Sequence, residues 1–462
     1  MIRIFNHYLH RASLFGALAD ALVVMAAVVA AVLLQTTGSG HDLFSVAGAR
    51  GGSLAAGIFV INSLTGFYEA RPLRSSTESL IRAAVALALA LPLTYAVASL
   101  FPQSLADPHT VQIAAMASVA AVILHRSYSA ARTASGSRSR SRVLIFGSGE
   151  AARVVGQTLR HSDPDADIVG YYPGPNEAAP AVPAAELLPP GRSLTQTARE
   201  RRVDEIIVAL TERRAGSMPL RDLLDCKLLG VRVNDINAHF EKRLGQIRID
   251  YLYAGWLIFG DGFNQGLART VVKRIFDIVC ASVLILLALP LMLLTALAIR
   301  LESPGNVLYR QQRVGRNGRG FEVVKFRSMR VDAERDGTPR WATAGDARIT
   351  RVGHIIRRTR IDELPQLFGV LAGHMSLVGP RPERQYFVDQ LTQEIPFYAV
   401  RHSVKPGVTG WAQVRYQYGS TVEDSQEKLQ YDLYYVKNHT LFLDLLILLE
   451  TVRVVLTGKG AR

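Results

Sequence analysis

The sequence predicts an α/β membrane protein in three parts. An N-terminal four-helix transmembrane bundle occupies 1–135. A Rossmann-like parallel-sheet module with its linker occupies 136–265. A mostly α C-terminal domain, 266–462, begins with a re-entrant membrane helix hairpin. Three observations carry this reading. Apolar runs fill the first quarter of the chain, strand and helix patterns alternate through 142–235, and a fifth apolar run, Ile278 to Ile299, has cations on both sides.

The bundle rests on runs near 14–34, 53–67, 80–101 and 111–125, each approaching the roughly 20 residues that a spanning helix needs. Buried soluble helices compete for the second and fourth. Charge in the connections decides between them. Arg3 and Arg11 precede the first run, Arg71, Arg74 and Arg82 lie in or beside the second connection, and Arg126, Arg132, Arg138, Arg140 and Arg142 follow the fourth. The other connections hold only Arg50. Alternating bias of this kind places both ends of the bundle in the cytoplasm. The first run is longer than a signal-peptide core and lacks a clear cleavage site, so it reads as a retained anchor.

The Ser/Arg/Gly stretch 129–142 is a flexible basic linker. After it, "RVLIF" runs into Gly147-x-Gly149-x-x-Ala152 and a helical pattern, and "ADIVGYY", "VDEIIVAL" and "GVRVND" supply further strands. Two glycines at a strand-to-helix turn suit a dinucleotide pyrophosphate. That use also needs an acid at the end of the second strand, where this chain has Gly170-Tyr171-Tyr172-Pro173. A tight turn without a ligand is therefore expected, in a module that assembles or regulates.

Across the 462 residues, 49% are hydrophobic and the formal net charge is +14, with mean hydropathy +0.15. Such a surplus favours anionic partners: a phospholipid membrane, nucleotides or lipid phosphates. The sequence contains no recognisable nucleic-acid module, so nucleic acid is not expected as a partner. Cys226 and Cys280, the only cysteines, exclude a disulfide framework, and no zinc spacing occurs.

The fifth apolar run has Lys273 and Arg274 before it and Arg300, Arg310, Arg313, Arg316 and Arg319 after it, with Pro290 near its middle. Cations at both ends give no orientation signal. A helix that bends at Pro290 and returns to the same face accounts for both facts. An ordinary fifth span with a kink is the competing reading. Toward the C-terminus, the run Leu441–Leu456 carries Asp444, Glu450 and Arg453, as an amphipathic helix lying in the interface would. Packing inside the domain competes with that.

In "RTRIDELPQLFGVLAGHMSLVGPRPE", Asp362 and Glu363 stand together just after Arg357, Arg358 and Arg360. A carboxylate that attacks a phosphate must overcome like-charge repulsion, which a divalent cation and fixed cations offset. One acid would serve as nucleophile and the other as metal ligand or polariser, Asp362 and Glu363 in either order. Alternatively, Thr359-x-x-Asp362 is a helix capping box. Arg381, clamped between Pro380 and Pro382, is a pre-organised phosphate clamp. Lys325 and Arg327, two apart on a strand, would share a face. Arg313, Arg401 and Lys405 complete the phosphate-binding candidates, with Asp432 and Tyr435 weaker. The turn Pro406-Gly407…Gly410-Trp411 reads as structural.

The motifs Lys273-Arg274 with Asp277, "YRQQRVGRNGRGFEVVKFRSM", "RIDELPQLFGVLAGHMSLVGPRPE", "VKPGVTGWAQV" and "YDLYYVKN" follow one another from about 270 to the C-terminus. In this respect the chain resembles the bacterial sugar transferases known as polyprenyl-phosphate phosphoglycosyl transferases, monotopic type. Its bundle and Rossmann-like (CoA-binding-like) module are similar to the larger members, of the exopolysaccharide branch. The resemblance implies a sugar-phosphate transferase catalytic domain over 266–462. Such an enzyme moves a phosphosugar from a UDP-sugar to undecaprenyl phosphate at the bacterial inner membrane, releasing UMP. It implies Asp362 as covalent nucleophile, Mg2+ held by Asp362 and Glu363, and Lys273, Arg274, Asp277 and Pro290 at the membrane interface. It further implies a multi-pass protein with a cytoplasmic catalytic domain, and it allows a homodimer. Relatives carry Ser-Pro at the bend, where this chain has Leu289-Pro290. Two other readings are a membrane-tethered nucleotide-sugar dehydratase or epimerase, which lacks its Tyr-x-x-x-Lys pair here, and a non-catalytic nucleotide-binding scaffold.

Overall fold

The apolar runs "VLIF" and "EIIV" form the centre of a four-stranded parallel sheet. The computed structural model describes residues 2–4, 7–9, 18–19, 21–23, 25–26 and, with short gaps, 141–457. The four expected membrane spans lie outside the described residues, apart from a few helical positions between 18 and 26. The rest divides into two units, one ending at Leu244 and one beginning at Gly245.

In the first unit, β1 (Ser141–Phe146), α1 (Glu150–Ser162), β2 (Ala166–Tyr172), α2 (Leu194–Glu200), β3 (Glu205–Val208), α3 (Leu220–Leu228), β4 (Arg232–Asp235) and α4 (Ile236–Leu244) alternate. The strand order is β2-β1-β3-β4, and every pairing is parallel. Central strands covered on both faces read as unbroken apolar runs. Accordingly, Val143 to Phe146 and Ile206 to Ile207 are fully buried. Cys226 lies in the same core, unpaired.

The glycine turn after β1 is closed from within. The Ser148 N–H (2.6 Å) and Oγ–H (2.8 Å) and the Gly174 N–H (2.9 Å) donate to Glu177 Oε2, and the Gly149 N–H donates to Oε1 at 3.2 Å. A carboxylate of the chain itself thus sits at the positive N-terminus of α1, where a phosphate would bind in a nucleotide site. Glu177 lies five residues beyond β2 and carries no sequence signature.

The second unit comprises α5 (Ala254–Phe259), α6 (Gly266–Glu302), the antiparallel hairpin β5 (Leu308–Val314) and β6 (Gly320–Phe326), α7 (Arg351–Arg358), α8 (Gln366–Ala372), β7 (Ser376–Val378), α9 (Gln385–Glu394), β8 (Gly407–Thr409), α10 (Trp411–Arg415), α11 (Val422–Asn438) and α12 (Leu441–Thr457). Its core gathers Leu367, Val370, Leu377, Trp411, Leu433 and Tyr434 around Ala281 of α6. Residues 245–259 belong here: the Trp411 Nε1–H donates to Gly245 O, and Ile247 N–H donates to Gln430 O.

Pro290, where a bend is expected, lies inside a continuous helix. α6 is one helix of 37 residues, about 55 Å of helical path. Proline removes one helix hydrogen bond, and the helix packs against the domain on both sides of it. Ala281 sits in the main core, while Met292 and Ile299 pack on Phe326 and Ile356. Polar ties bind both ends to the same domain. Asp277 Oδ1 accepts from Ser376 Oγ–H (3.0 Å) and Leu377 N–H (3.1 Å), and Glu302 accepts from the N–H groups of Arg351 and Val352. α6 is also the one helix among the described residues long and apolar enough to span a membrane. Leu286, Leu287, Leu293 and Leu294 of its apolar run are exposed.

Three residues expected at the membrane interface have partners within the domain. Lys273 Nζ pairs with the buried Asp444 of α12 at 2.8 Å. The Arg274 guanidinium donates to Val370 O and Leu371 O, the terminal carbonyls of α8, a favourable place for a cation. Asp277 is buried as described above. α12 packs into the domain through Leu443, Asp444 and Ile447, so the last apolar run is a wall of the domain.

Two outcomes follow. With both ends of α6 tied to one domain, a cysteine at the exposed Arg319 should resist an impermeant maleimide on intact spheroplasts and react only after lysis; labelling of intact cells would show a crossing. Gly147 has φ +131°, and a Cβ there would stand 2.8 Å from Ala209 O, whereas a Cβ at Gly149 makes ordinary contact. Gly147→Ala should therefore destabilise the purified chain by about 1–3 kcal/mol and Gly149→Ala much less, read as thermal unfolding; equal effects would contradict this.

Candidate active site

α7 ends at Arg358, where Thr359 turns its hydroxyl back to donate to Ile355 O. Arg360 then adopts φ +60°, an uncommon conformation for a side-chain-bearing residue. The reversal starts a single 3₁₀ turn, Ile361–Glu363, and Pro365 stands immediately before α8, where a missing N–H is tolerated. This overturns the capping-box reading. Thr359 closes the helix before the dyad, and Asp362 caps nothing.

Both acids of that turn are buried, but their surroundings differ. Glu363 Oε1 accepts from Arg381 Nη2 at 2.9 Å and Lys325 Nζ at 3.2 Å, with Arg360 4.0 Å away. Asp362 Oδ1 is buried and accepts no hydrogen bond. The electrostatics follow this asymmetry. Burial, and then the charge of Glu363, push the Asp362 pKa up to about 6. Burial also acts upward on Glu363, but Arg381, Lys325 and Arg360 together outweigh it and hold that carboxyl well below the ordinary glutamate range. Burial lowers the pKa of Lys325.

Arg381 is held from behind. β7 and β8 pair in parallel, Ser376 with Gly407 and Val378 with Thr409. Gly379, Gly407 and Gly410 let the two backbones approach where any side chain would collide. The Gly379 N–H donates to Thr409 O, and the Gly407 N–H donates to Pro380 O, each at 2.9 Å. The Arg381 carbonyl in turn accepts from Arg401 Nη2 at 2.9 Å.

Of the predicted phosphate-binding residues, Lys325, Arg381, Arg313, Arg327 and Arg401 line one cavity of about 1610 Å3 with the dyad. Arg313 also donates to Pro382 O and Glu383. Arg401 has a supporting position: its guanidinium is buried, paired with Asp432 Oδ2 at 2.7 and 2.9 Å and bonded to the Tyr398 hydroxyl at 3.0 Å. Arg327 does not share the work of Lys325. It donates to Ser303 O, Ser303 Oγ and Pro304 O, just past the end of α6. Lys405 is not brought to the dyad and lies in electrostatic range of Arg274 and Asp277. Asp432 and Tyr435 act as anchors, Tyr435 donating to Val378 O and Asp444. Arg357, Arg384 and Lys428 also line the cavity. No spacing rule singles them out, because only the fold brings them there.

Residues 268–458 match the family model for the bacterial sugar transferases. The exopolysaccharide production protein PSS of Rhizobium leguminosarum bv. phaseoli is 44% identical over 196 residues, covering 41% of this chain and 98% of that protein. This chain belongs to the bacterial sugar transferase family. Two longer relatives are similar over more of it. The UDP-N-acetylgalactosamine-undecaprenyl-phosphate N-acetylgalactosaminephosphotransferase of Aeromonas hydrophila is 45% identical over 56% of this chain. The UDP-glucose:undecaprenyl-phosphate glucose-1-phosphate transferase of Escherichia coli K12 is 43% identical over 56% of it. The chain spans 61% and 53% of their respective lengths.

In this member of the family the unsatisfied Asp362 sets a stability test. Its folded pKa, about 6, lies above an unfolded value of about 3.9. Its favourable contribution is thus fully present below about pH 4 and is lost as pH rises through 6. Asp362→Asn removes the buried charge, and near pH 8 it should be more stable than the parent by roughly 1–3 kcal/mol. That gain should shrink toward zero near pH 4. Thermal unfolding across pH measures it, and a variant no more stable at high pH would refute the assignment.

Proposed function

We propose that the chain transfers a phosphosugar from a UDP-sugar to undecaprenyl phosphate, initiating exopolysaccharide or related glycoconjugate synthesis at the cytoplasmic face of the bacterial inner membrane. The observation that carries this reading is the asymmetry of the dyad: Glu363 accepts from Lys325 and Arg381 through Oε1, while Asp362 Oδ1 is buried and unpartnered. That oxygen has the character of a nucleophile, desolvated and with cations nearby to receive a phosphate. The family match and the printed names of the relatives support the same substrates.

In the first half-reaction, the Asp362 carboxylate attacks the phosphorus that bears the sugar. The P–O bond to UMP breaks, UMP leaves with the electron pair, and a phosphosugar is left esterified to Asp362. In the second, an oxygen of undecaprenyl phosphate attacks the same phosphorus. The bond to Asp362 breaks, restoring the carboxylate and giving undecaprenyl-diphospho-sugar. Arg381 and Lys325 hold Glu363 in place and present positive charge to the diphosphate. Arg401 and Asp432 position Arg381 through its backbone.

Mg2+ fits this donor set. Among the described residues, no three His, Cys, Asp or Glu side chains converge as they would in an all-protein metal cage. Mg2+ is commonly held by one or two carboxylates together with substrate phosphates and water. Asp362 and Glu363 would hold it, the unpartnered Asp362 Oδ1 being the available donor. When bound, it would neutralise charge on the diphosphate. The Glu177 carboxylate at the glycine turn speaks against a redox role for the first unit, where the Rossmann-like reading would have placed a dinucleotide.

UDP-N-acetylgalactosamine and UDP-glucose head the panel of donors for a UMP-release assay. Radiolabelled phosphosugar should attach to the protein before any lipid acceptor is added. Asp362→Asn should abolish attachment and reduce turnover by on the order of 10³-fold or more. Near-normal turnover in folded Asp362→Asn protein would sink the proposal. Because Asp362 must be anionic to attack, kcat/KM should fall as pH drops through about 6. Glu363→Gln removes the neighbouring negative charge, so this acid limb should move to lower pH even as the rate falls. A limb that stays in place would assign it to another group.

A further inference from the structure

The second unit begins at Gly245, well upstream of the family match, which starts at 268. Its first residues are built into the core. Gln246, Ile247 and Ile249 are buried, and the two isoleucines pack in the same cluster as Trp411, Leu429 and Leu433. Gly245 adopts φ +64°, and a Cβ there would stand 3.0 Å from the Trp411 ring. The backbone thus approaches the indole where a side chain would be strained. The buried Trp411 Nε1–H donates to Gly245 O at 2.8 Å. A buried donor that lost this acceptor would be costly.

Beyond Gly245 the segment is laced to α11. The Ile247 N–H donates to Gln430 O at 3.0 Å, Arg248 pairs with Glu427 at 3.1 Å, and the Gln426 side-chain amide donates to Asp250 Oδ1 at 3.1 Å. Residues 245–250 thus hold two elements at once, the Trp411 turn and α11. Both lead to Arg381. Trp411 follows Gly410, whose backbone lies so near Gly379 that a Cβ would stand 2.2 Å from Gly379 O. In the same turn the Gly407 N–H donates to Pro380 O. α11 carries Asp432, the partner of Arg401, and Arg401 donates to the Arg381 carbonyl. The Arg381 backbone is therefore fixed by two routes, and one short segment, distant in sequence, braces both.

We propose that residues 245–250 are a positioning strap for Arg381, fixing Trp411 and α11 from behind so that the guanidinium is held at Glu363. This assignment rests on the transferase reading for what Arg381 does, and adds the element that places it. Arg381 must meet Glu363 Oε1 at 2.9 Å while presenting charge to a diphosphate, and guanidinium contacts of this kind are directional. Small displacements of an orienting group are costly even when they start far from the chemistry. The strap is also where the chain leaves the first unit, whose last helix ends at Leu244, and enters the second.

The test uses the full chain in lipid nanodiscs and has two arms. Trp411→Phe keeps an aromatic ring and removes the donor to Gly245 O, and Gly245→Ala adds a Cβ against the indole. Each, once shown to unfold cooperatively above the assay temperature, should lower kcat/KM for UMP release by on the order of 10-fold. In an Arg381→Lys background the same changes should cost less than about two-fold more, because groups acting through one residue are not additive. Equal fold losses in both backgrounds would overturn the proposal, as would full activity of folded Trp411→Phe. The second arm needs no catalysis. Hydrogen exchange followed by mass spectrometry should be faster in Trp411→Phe at peptides spanning 376–383 and 405–410, whose amides brace Arg381, and unchanged across the hairpin 308–326. Unchanged exchange at the brace, or faster exchange everywhere, would refute the strap. A parent that releases no UMP from any UDP-sugar would instead refute the transferase reading, and the exchange arm would still decide the strap.

Discussion

Two carboxylates buried side by side repel each other and resist losing water, and the second unit is organised around that problem. One of them, Glu363, is neutralised by contact with Arg381 and Lys325. The other, Asp362, is left without a hydrogen-bond donor at Oδ1 and has a raised pKa. A fold selected only for stability would satisfy that oxygen or replace it with an apolar group. An unsatisfied buried carboxylate oxygen beside a satisfied one is a feature that calls for an explanation, and the proposed reaction supplies one.

Keeping Arg381 on Glu363 requires a rigid support, which comes from elements far apart in the chain. β7 leads into Gly379-Pro380-Arg381, and β8 lies against it because three glycines permit backbone contact. The buried Arg401–Asp432 pair grips the Arg381 carbonyl. Removing one partner of such a pair would leave a buried charge uncompensated. On the other side, Asp277 ties α6 to β7, and Lys273, Asp444 and Tyr435 tie α6 to α12 and again to β7. The long apolar helix is thereby fixed to the strand that leads to Arg381, so the apolar helix and the acid pair share one framework.

The first unit shows how a suggestive pattern can be put to another use. Its glycine turn has the form that receives a pyrophosphate, and Glu177 fills it. The interaction is the same one a phosphate would make, backbone N–H groups at a helix N-terminus facing an anion. Because the anion is internal, the turn contributes to the unit's own cohesion.

Much of this protein could be read without coordinates, wherever the determinants are local. Unbroken apolar runs between turn residues marked the buried strands of the parallel sheet, since periodicity is a property of neighbouring residues. The adjacent Asp362 and Glu363, the Pro380-Arg381-Pro382 clamp and Lys325 could be picked out because their chemistry is written in short stretches. Tertiary structure alone decided the rest. Alternation on a strand puts Lys325 and Arg327 on one face, yet the former meets Glu363 and the latter meets the carbonyls of Ser303 and Pro304. Lys273, Arg274 and Asp277 read as an interface cluster, and their partners within the domain, Asp444, Val370 and Ser376, come from distant parts of the chain. Pro290 marked a point of weakness in the helix, and the packing on either side of it comes from distant residues. Whether a charged group binds a ligand or anchors the fold depends on which partner reaches it first, and that is a property of three-dimensional proximity, which a linear pattern does not contain.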